Sequence, residues 1–250
     1  MSNEFDEFTQ FDHTAAEKQL EDAKKGSDSF RLKLGVGKHR LRMLPGRAGA
    51  PAMLSFWEHS LKLPGGKFAI FTCPLKEKGR PCPACAKAAE LSKSGTDADM
   101  KAAKAYMPKK RGMANFIDRE HEERGPLVWT FGAMKAKGKE SVYERLLFLL
   151  TDPDLGANYA HPTEGYELLV IREGLELDTT YSVSLDERKG KCPLHVDTEQ
   201  ALGWLRTMKD LQKLTTLLPV DEIEARMRGE QPERTDRRAN AQDAMEREGR

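Results

Sequence analysis

The sequence predicts a mainly β member of the α+β class, a small β-barrel carrying helical insertions. Three observations predict it. Short apolar-alternating runs recur along the first three quarters of the chain, most of them bounded by glycine or proline. The helix-periodic stretches fall between those runs or after them, at PACAKAAELSK, at KESVYERLLFLL and from Asp197 onward. No internal repeat is visible, and many short strands with helices between and after them fit a small β-barrel.

Taken in order, Thr14-Ala-Ala-Glu17 reads as a capping box that opens a short helix to about Lys25, and Gly26-Ser-Asp-Ser breaks it. FRLKLGVGKHRLRML (30–44) alternates apolar with basic residues, the pattern of strands with one buried and one cationic face. A loop from Pro45 to Pro51 follows, then strands LSFWEH and FAIFTC joined by LPGGK. From Cys82 the pattern turns helical, with a second small helix near Ala98 to Tyr106. MANFID and LVWTF read as strands on either side of the charged loop REHEERGP, and alternation puts Trp129 and Phe131 on one buried face. KESVYERLLFLL (139–150) is an amphipathic helix, and EGYELLVIREG and TTYSVSL are the closing strands. A long helix is expected over 197–218 and a shorter one over about 220–228. The last 20 residues are charged and nearly free of apolar side chains, a composition that stays disordered. This divides the chain into an acidic segment (1–28), a core (29–228) and a tail (229–250).

The 250 residues are 38% apolar and 32% charged, enough for a substantial core under a very polar surface. No apolar run approaches the roughly 18 residues of a membrane span. The acidic start lacks a secretion signal, so a cytoplasmic setting with reduced thiols is expected. The net charge of +1 hides a strong asymmetry. Residues 29 to 117 hold 18 Lys+Arg against 5 Asp+Glu, while the segments on either side are net acidic. Such a block implies a face for a polyanion.

Three cysteines lie within 13 residues, as Cys73-x8-Cys82-x2-Cys85. A Cys-x-x-Cys pair brings two thiolates to one ion from a tight turn, and Pro74, Pro81 and Pro83 stiffen the approach. Zinc takes four nitrogen or sulfur ligands, which leaves one to find. His59, 14 residues before Cys73, is the first choice, and Cys192-Pro-Leu-His195 is a distant rival. A closed set of three cysteines and one histidine points to one structural Zn2+ with no open position for chemistry. Pro81-Cys82-x-x-Cys85 also matches half of a zinc deaminase signature, but the His-x-Glu half is missing because Leu61 stands two after His59. His121-Glu122 lacks the second histidine of a metalloprotease helix, and there is no phosphate-binding glycine-lysine loop or nucleophile elbow. No catalytic residues are assigned.

The order His59, Cys73, Cys82-Pro-Ala-Cys85, then a basic run and an Ala-Asn strand, resembles the zinc-containing single-stranded DNA-binding proteins of T-even-like phages. Lys38-His-Arg-Leu-Arg-Met-Leu-Pro45, Lys109-Lys110-Arg111-Gly-Met-Ala114-Asn115, Trp129-Thr-Phe131-Gly132 and His161-Pro-Thr-Glu164-Gly165-Tyr-Glu-Leu-Leu-Val170 are similar in the same order. The resemblance spans about residues 30 to 225. It implies an OB-fold barrel with an inserted zinc-binding subdomain at about 57–107 and C-terminal helices at about 197–228. It further implies sequence-independent coating of single-stranded DNA in phage replication, recombination and repair, with self-assembly on the strand and replication or recombination proteins as partners. The chain differs from the family in its acidic start, in lacking a long acidic C-terminal tail, and in carrying Gly112-Met113 where the family has an aromatic pair.

Holding a single strand irrespective of sequence takes a cationic track for phosphates and aromatic faces for bases. Arg31, Lys33, Arg40, Arg42, Lys109, Lys110 and Arg111 are the expected track, and Phe68, Tyr106 and Tyr181 the expected faces. A zinc-containing RNA-binding or transcription-regulatory protein is the alternative, and a zinc-dependent nucleic-acid enzyme a more distant one. The start of the chain sets Phe5, Phe8 and Phe11 among Glu4, Asp6, Glu7 and Asp12, either as a plain tail or as an acidic-aromatic segment acting on the cationic groove.

Overall fold

A computed structural model describes residues 30–47, 50–134, 140–152, 159–175 and 178–230. The expected helix at 14–25 and the tail beyond 230 lie outside them. The fold is mixed, with seven strands in one antiparallel sheet. The strands are β1 (Gly37–Met43), β2 (Met53–Lys62), β3 (Phe68–Thr72), β4 (Lys109–Asp118), β5 (Leu127–Gly132), β6 (Leu168–Glu173) and β7 (Thr180–Leu185). The helices are α1 (Pro74–Lys78), α2 (Pro83–Ser94), α3 (Asp97–Tyr106), α4 (Val142–Thr151), α5 (Thr198–Thr207), α6 (Leu211–Leu214) and α7 (Val220–Met227).

Strand β4 is the spine. Along one edge it pairs first with β2, from Glu58 opposite Lys109 to Met53 opposite Ala114. It then pairs with β1, from Met43 opposite Phe116 to Leu41 opposite Asp118. Its other edge takes β5. The hydrogen-bonded order is β3-β2-β4-β1-β6-β7, with β5 off that path. The expected barrel does not close among the described residues. Tyr181 of β7 meets Trp129 of β5 edge-on, 5.5 Å between ring centroids, but no ladder joins the two strands, and the sheet remains open.

One face of the sheet carries the main core: Leu41, Met43, Ala114, Phe116, Trp129, Phe131, Leu168 and Val170, closed by Val142, Leu146 and Leu149 of α4. The rings of Phe131 and Tyr143 lie on the backbone at Gly112, where a Cβ would stand 2.4 and 2.7 Å from them. Ser141 and Glu144 form the capping box that starts α4. The other face of the sheet is covered along its middle by the C-terminal segment. Trp204 and Met208 pack on Ile117 and Leu44, and Leu211 packs with Phe56 and Met113.

The single long helix expected over 197–218 is two helices. Buried Asn115 on β4 donates to the Lys209 carbonyl at 2.9 Å and accepts from the Lys209 amide at 3.0 Å. Those two bonds take the Lys209 backbone out of a helical ladder, and Asp210 then caps the short α6. Helix α1 was not expected at all. Cys73 caps it, with the Lys76 amide donating to its Sγ, and Gly79 ends it with φ of 64°.

Candidate metal centre and cationic sheet face

Each ligand is placed by an ordinary local device. Alternation along β2 turns His59 inward with Leu61, and β3 ends by delivering Cys73 as the cap of α1. Cys82 occupies the N-cap of α2 ahead of Pro83, and Cys85 follows three residues later on the same side of the first turn. The result is a cluster whose four donor atoms all lie within 4.8 Å of one another. Cys82 Sγ is 3.3 Å and Cys85 Sγ 3.6 Å from His59 Nε2, and Cys73 Sγ is 3.6 Å from Cys85 Sγ. Tetrahedral zinc bonds of about 2.3 Å to sulfur and about 2.0 Å to nitrogen require about 3.8 Å between sulfurs and about 3.5 Å from sulfur to nitrogen. The donor set fits one metal ion of that kind.

The histidine is oriented from behind. The Tyr106 carbonyl at the end of α3 is 2.8 Å from His59 Nδ1. A carbonyl only accepts, so Nδ1 carries the proton and the Nε2 lone pair faces the sulfurs. Phe71 stacks on the ring, 5.1 Å between centroids. The thiols are unequal. Hydrogen bonding from Cys73 pulls Cys82 down to about 4 against its burial. That same bond, with burial, pushes Cys73 up, and burial pushes Cys85 up. Cys192 and His195 lie outside the cluster. Cys192 Sγ is 3.6 Å from Arg42 Nη1 and 3.7 Å from a Glu167 carboxylate oxygen.

The expected cationic track is divided by the fold. Arg42, expected on the track, is instead fully buried, donating to the carbonyls of His161 (2.8 Å) and Cys192 (3.0 Å). It is a structural cation inside the protein, not a surface contact. Burial lowers its pKa, with Glu167 acting in the opposite direction. Arg40 is exposed and paired with Asp186 at 3.1 Å. The strand registers set Arg40 beyond one end of β4 and Lys109 at the other. Between them the Trp204–Leu211 segment covers the face. Arg31 lies over the Phe30 ring at 5.7 Å, and Lys33 is exposed.

Around the open corner of β2, β3 and β4 the pieces do converge. Lys62 stands opposite Phe68 and Ser60 opposite Ile70 across β2–β3, while Glu58 stands opposite Lys109 and Phe56 opposite Arg111 across β2–β4. Directly opposed residues share a face. That face therefore carries Phe68 (58% exposed), Ile70, Lys62, Lys109 and Arg111, with Lys67 next to Phe68. Arg111 is held by Glu58 at 3.4 Å. Lys110 lies on the opposite face, across from Trp57, whose ring also meets Lys76 at 5.6 Å.

Two of the three chosen aromatics are largely committed to packing. Tyr106 packs on the core beneath the metal cluster, and Tyr181 packs on Trp129. Lys62, Lys67 and Ile70 were missed at the sequence level. The hairpin turn at Pro64–Gly66 fixes the β2–β3 register and so would have placed Lys62 opposite Phe68. No helix among the described residues is long and apolar enough to cross a membrane. No protein-family model and no curated protein sequence matches the chain.

Proposed function

We propose that this chain binds single-stranded DNA without regard to sequence and coats it during phage replication, recombination and repair, as the T-even-like phage proteins it resembles do. The observation that carries the reading is the open corner of the sheet. An exposed aromatic, Phe68, lies with Ile70 between Lys62 and Lys67 at one end and Lys109 at the other, with the buried metal-ligand cluster on the opposite face of β2. A stacking surface rimmed by cations suits unpaired bases and their phosphates, with each stacked base contributing about 1–3 kcal/mol. The charge block of residues 29–117 adds long-range attraction for the same ligand.

The metal in this reading is one structural zinc on His59, Cys73, Cys82 and Cys85. When bound it supplies four-way cross-linking and no reaction, since every tetrahedral position is taken by protein. The residues themselves hold β2, the end of β3 and the start of α2 together, and so hold Phe68 in place. Assembly along the strand and contact with phage replication proteins belong to the same proposal, in the cytoplasm of the host.

Titrating oligo-dT, a duplex and an RNA of equal length at several salt concentrations tests it. The expected order is oligo-dT first, with steep weakening by salt as counterions are displaced. Lys62→Ala with Lys109→Ala weakens every single-stranded sequence alike and flattens the log–log salt slope by about 1.4 if each lysine meets one phosphate. Equal affinity for duplex, or a preference for one sequence with an unchanged slope, contradicts the proposal and favours a regulator.

A further inference from the structure

The open corner is an apolar and cationic surface with no covering element among the described residues. Phe68 is 58% and Ile70 43% exposed, and Lys62 and Lys109 flank them. We infer that residues 4–12 of the same chain dock on this corner when no other ligand occupies it. The docking stands on the surface itself, and only its consequence for oligo-dT rests on the function proposed above.

Two features of the molecule select this occupant. The first is complementarity. Residues 1–12 contain Glu4, Asp6, Glu7 and Asp12 and no lysine or arginine, and Phe5, Phe8 and Phe11 are interspersed among them. The corner offers the reverse, lysines around an exposed ring and an isoleucine. The second is position. The described chain begins at Phe30, which packs with Phe56, Met113 and Val128. Phe56 stands opposite Arg111, so Phe30 sits on the same face of the sheet as the corner. Seventeen residues, 13–29, separate the acidic segment from Phe30. A tether of that length keeps the segment at an effective concentration on the order of millimolar, so contacts of modest strength suffice to hold it there. The Glu–Lys attraction is between exposed groups and is screened by salt within about 10 Å at 0.1 M. Docking is therefore a low-salt state.

The test uses the chain lacking residues 2–12 and a labelled peptide of residues 1–12, followed by fluorescence anisotropy. Saturable binding with Kd below about 1 mM at low salt is expected, because that is the affinity the tether makes effective. Binding should weaken at least about fivefold at 0.5 M salt. Phe68→Ser and Lys109→Ala, both at exposed positions and both compatible with folding, should each weaken it severalfold. Absence of binding at millimolar peptide, or binding indifferent to both substitutions, overturns the inference. In parallel, oligo-dT is titrated against the intact chain and the deletion. Tightening in the deletion by about threefold to tenfold at low salt, vanishing at high salt, supports competition for the corner. Peptide binding without any change in oligo-dT affinity keeps the docking and overturns the assignment of nucleic acid to this corner. Oligo-dT binding that depends on Phe68, with no peptide binding, does the opposite.

Discussion

The two halves of the sheet that share β4 are held together by different means. On the β1–β6–β7 side the core is large and apolar: Leu41, Met43, Phe116, Trp129, Phe131, Leu146, Leu149 and Leu168 are buried against one another. Each such side chain stabilises the fold by about 1.5–3 kcal/mol, and their sum needs no other fastening. On the β2–β3 side, Leu61, Phe71 and Ile223 are the large apolar members of the buried cluster, and the rest are Ala69, Ala84, Cys73 and Cys82. Helices α1, α2 and α3 rest on that small core. A module with so little to bury would be completed by coordination once its four candidate ligands take up a metal ion, and those side chains sit within the same small core. The difference teaches why four candidate ligands gathered within 27 residues matter on this side of β4: its small apolar core leaves room for a second kind of fastening.

The largest expected effect breaks this comparison on one side alone. Cys82→Ser should release the bound metal from a protein that otherwise carries about one per chain, as read by metal analysis. Structural zinc contributes on the order of 10 kcal/mol to folding in small zinc domains. The module at 57–107 should therefore loosen while the main core persists. Cys192→Ser should leave the metal in place, since Cys192 lies with Arg42 and Glu167. Metal loss in that variant would put the fourth ligand elsewhere.

On the other side, Arg42→Met tests the sheet core where it is not apolar. It leaves the buried Glu167 without one of its two cations and the carbonyls of His161 and Cys192 without a donor. The expected cost is about 3–5 kcal/mol by denaturant unfolding, with metal content unchanged. A smaller loss, about 1–3 kcal/mol, is expected for Gly112→Ala, because its Cβ would enter the Phe131 and Tyr143 rings. A neutral result there would mean that the core under β4 is looser than its packing implies.

Much of this was legible in the sequence, and what was not has identifiable physical causes. Strand positions and the helices at 83–94, 97–106 and 142–151 follow from periodicity and from caps that act within a few residues. The ligand set was readable because thiolate spacing is a local requirement, and the structure gathers those four side chains. Arg42 was misplaced because alternation predicts two faces but not what covers each. The cover comes from His161 and Cys192, 119 and 150 residues away. The break in the helix at Lys209 was invisible for the same reason, since Asn115 causes it from 94 residues away. The sequence suggests Tyr106 as a base-stacking ring, whereas its carbonyl orients His59. No sequence pattern marks a backbone oxygen for that role.

The division of labour between coordination and apolar burial is tested most directly by hydrogen exchange on the same sample before and after chelation. Amides of β3, α2 and α3 should lose protection once the metal is removed, while those of β5, β6 and the Phe116–Asp118 end of β4 keep theirs. If both halves lose protection together, or if the module stays protected without metal, the two regions are not held by different means and the account is wrong.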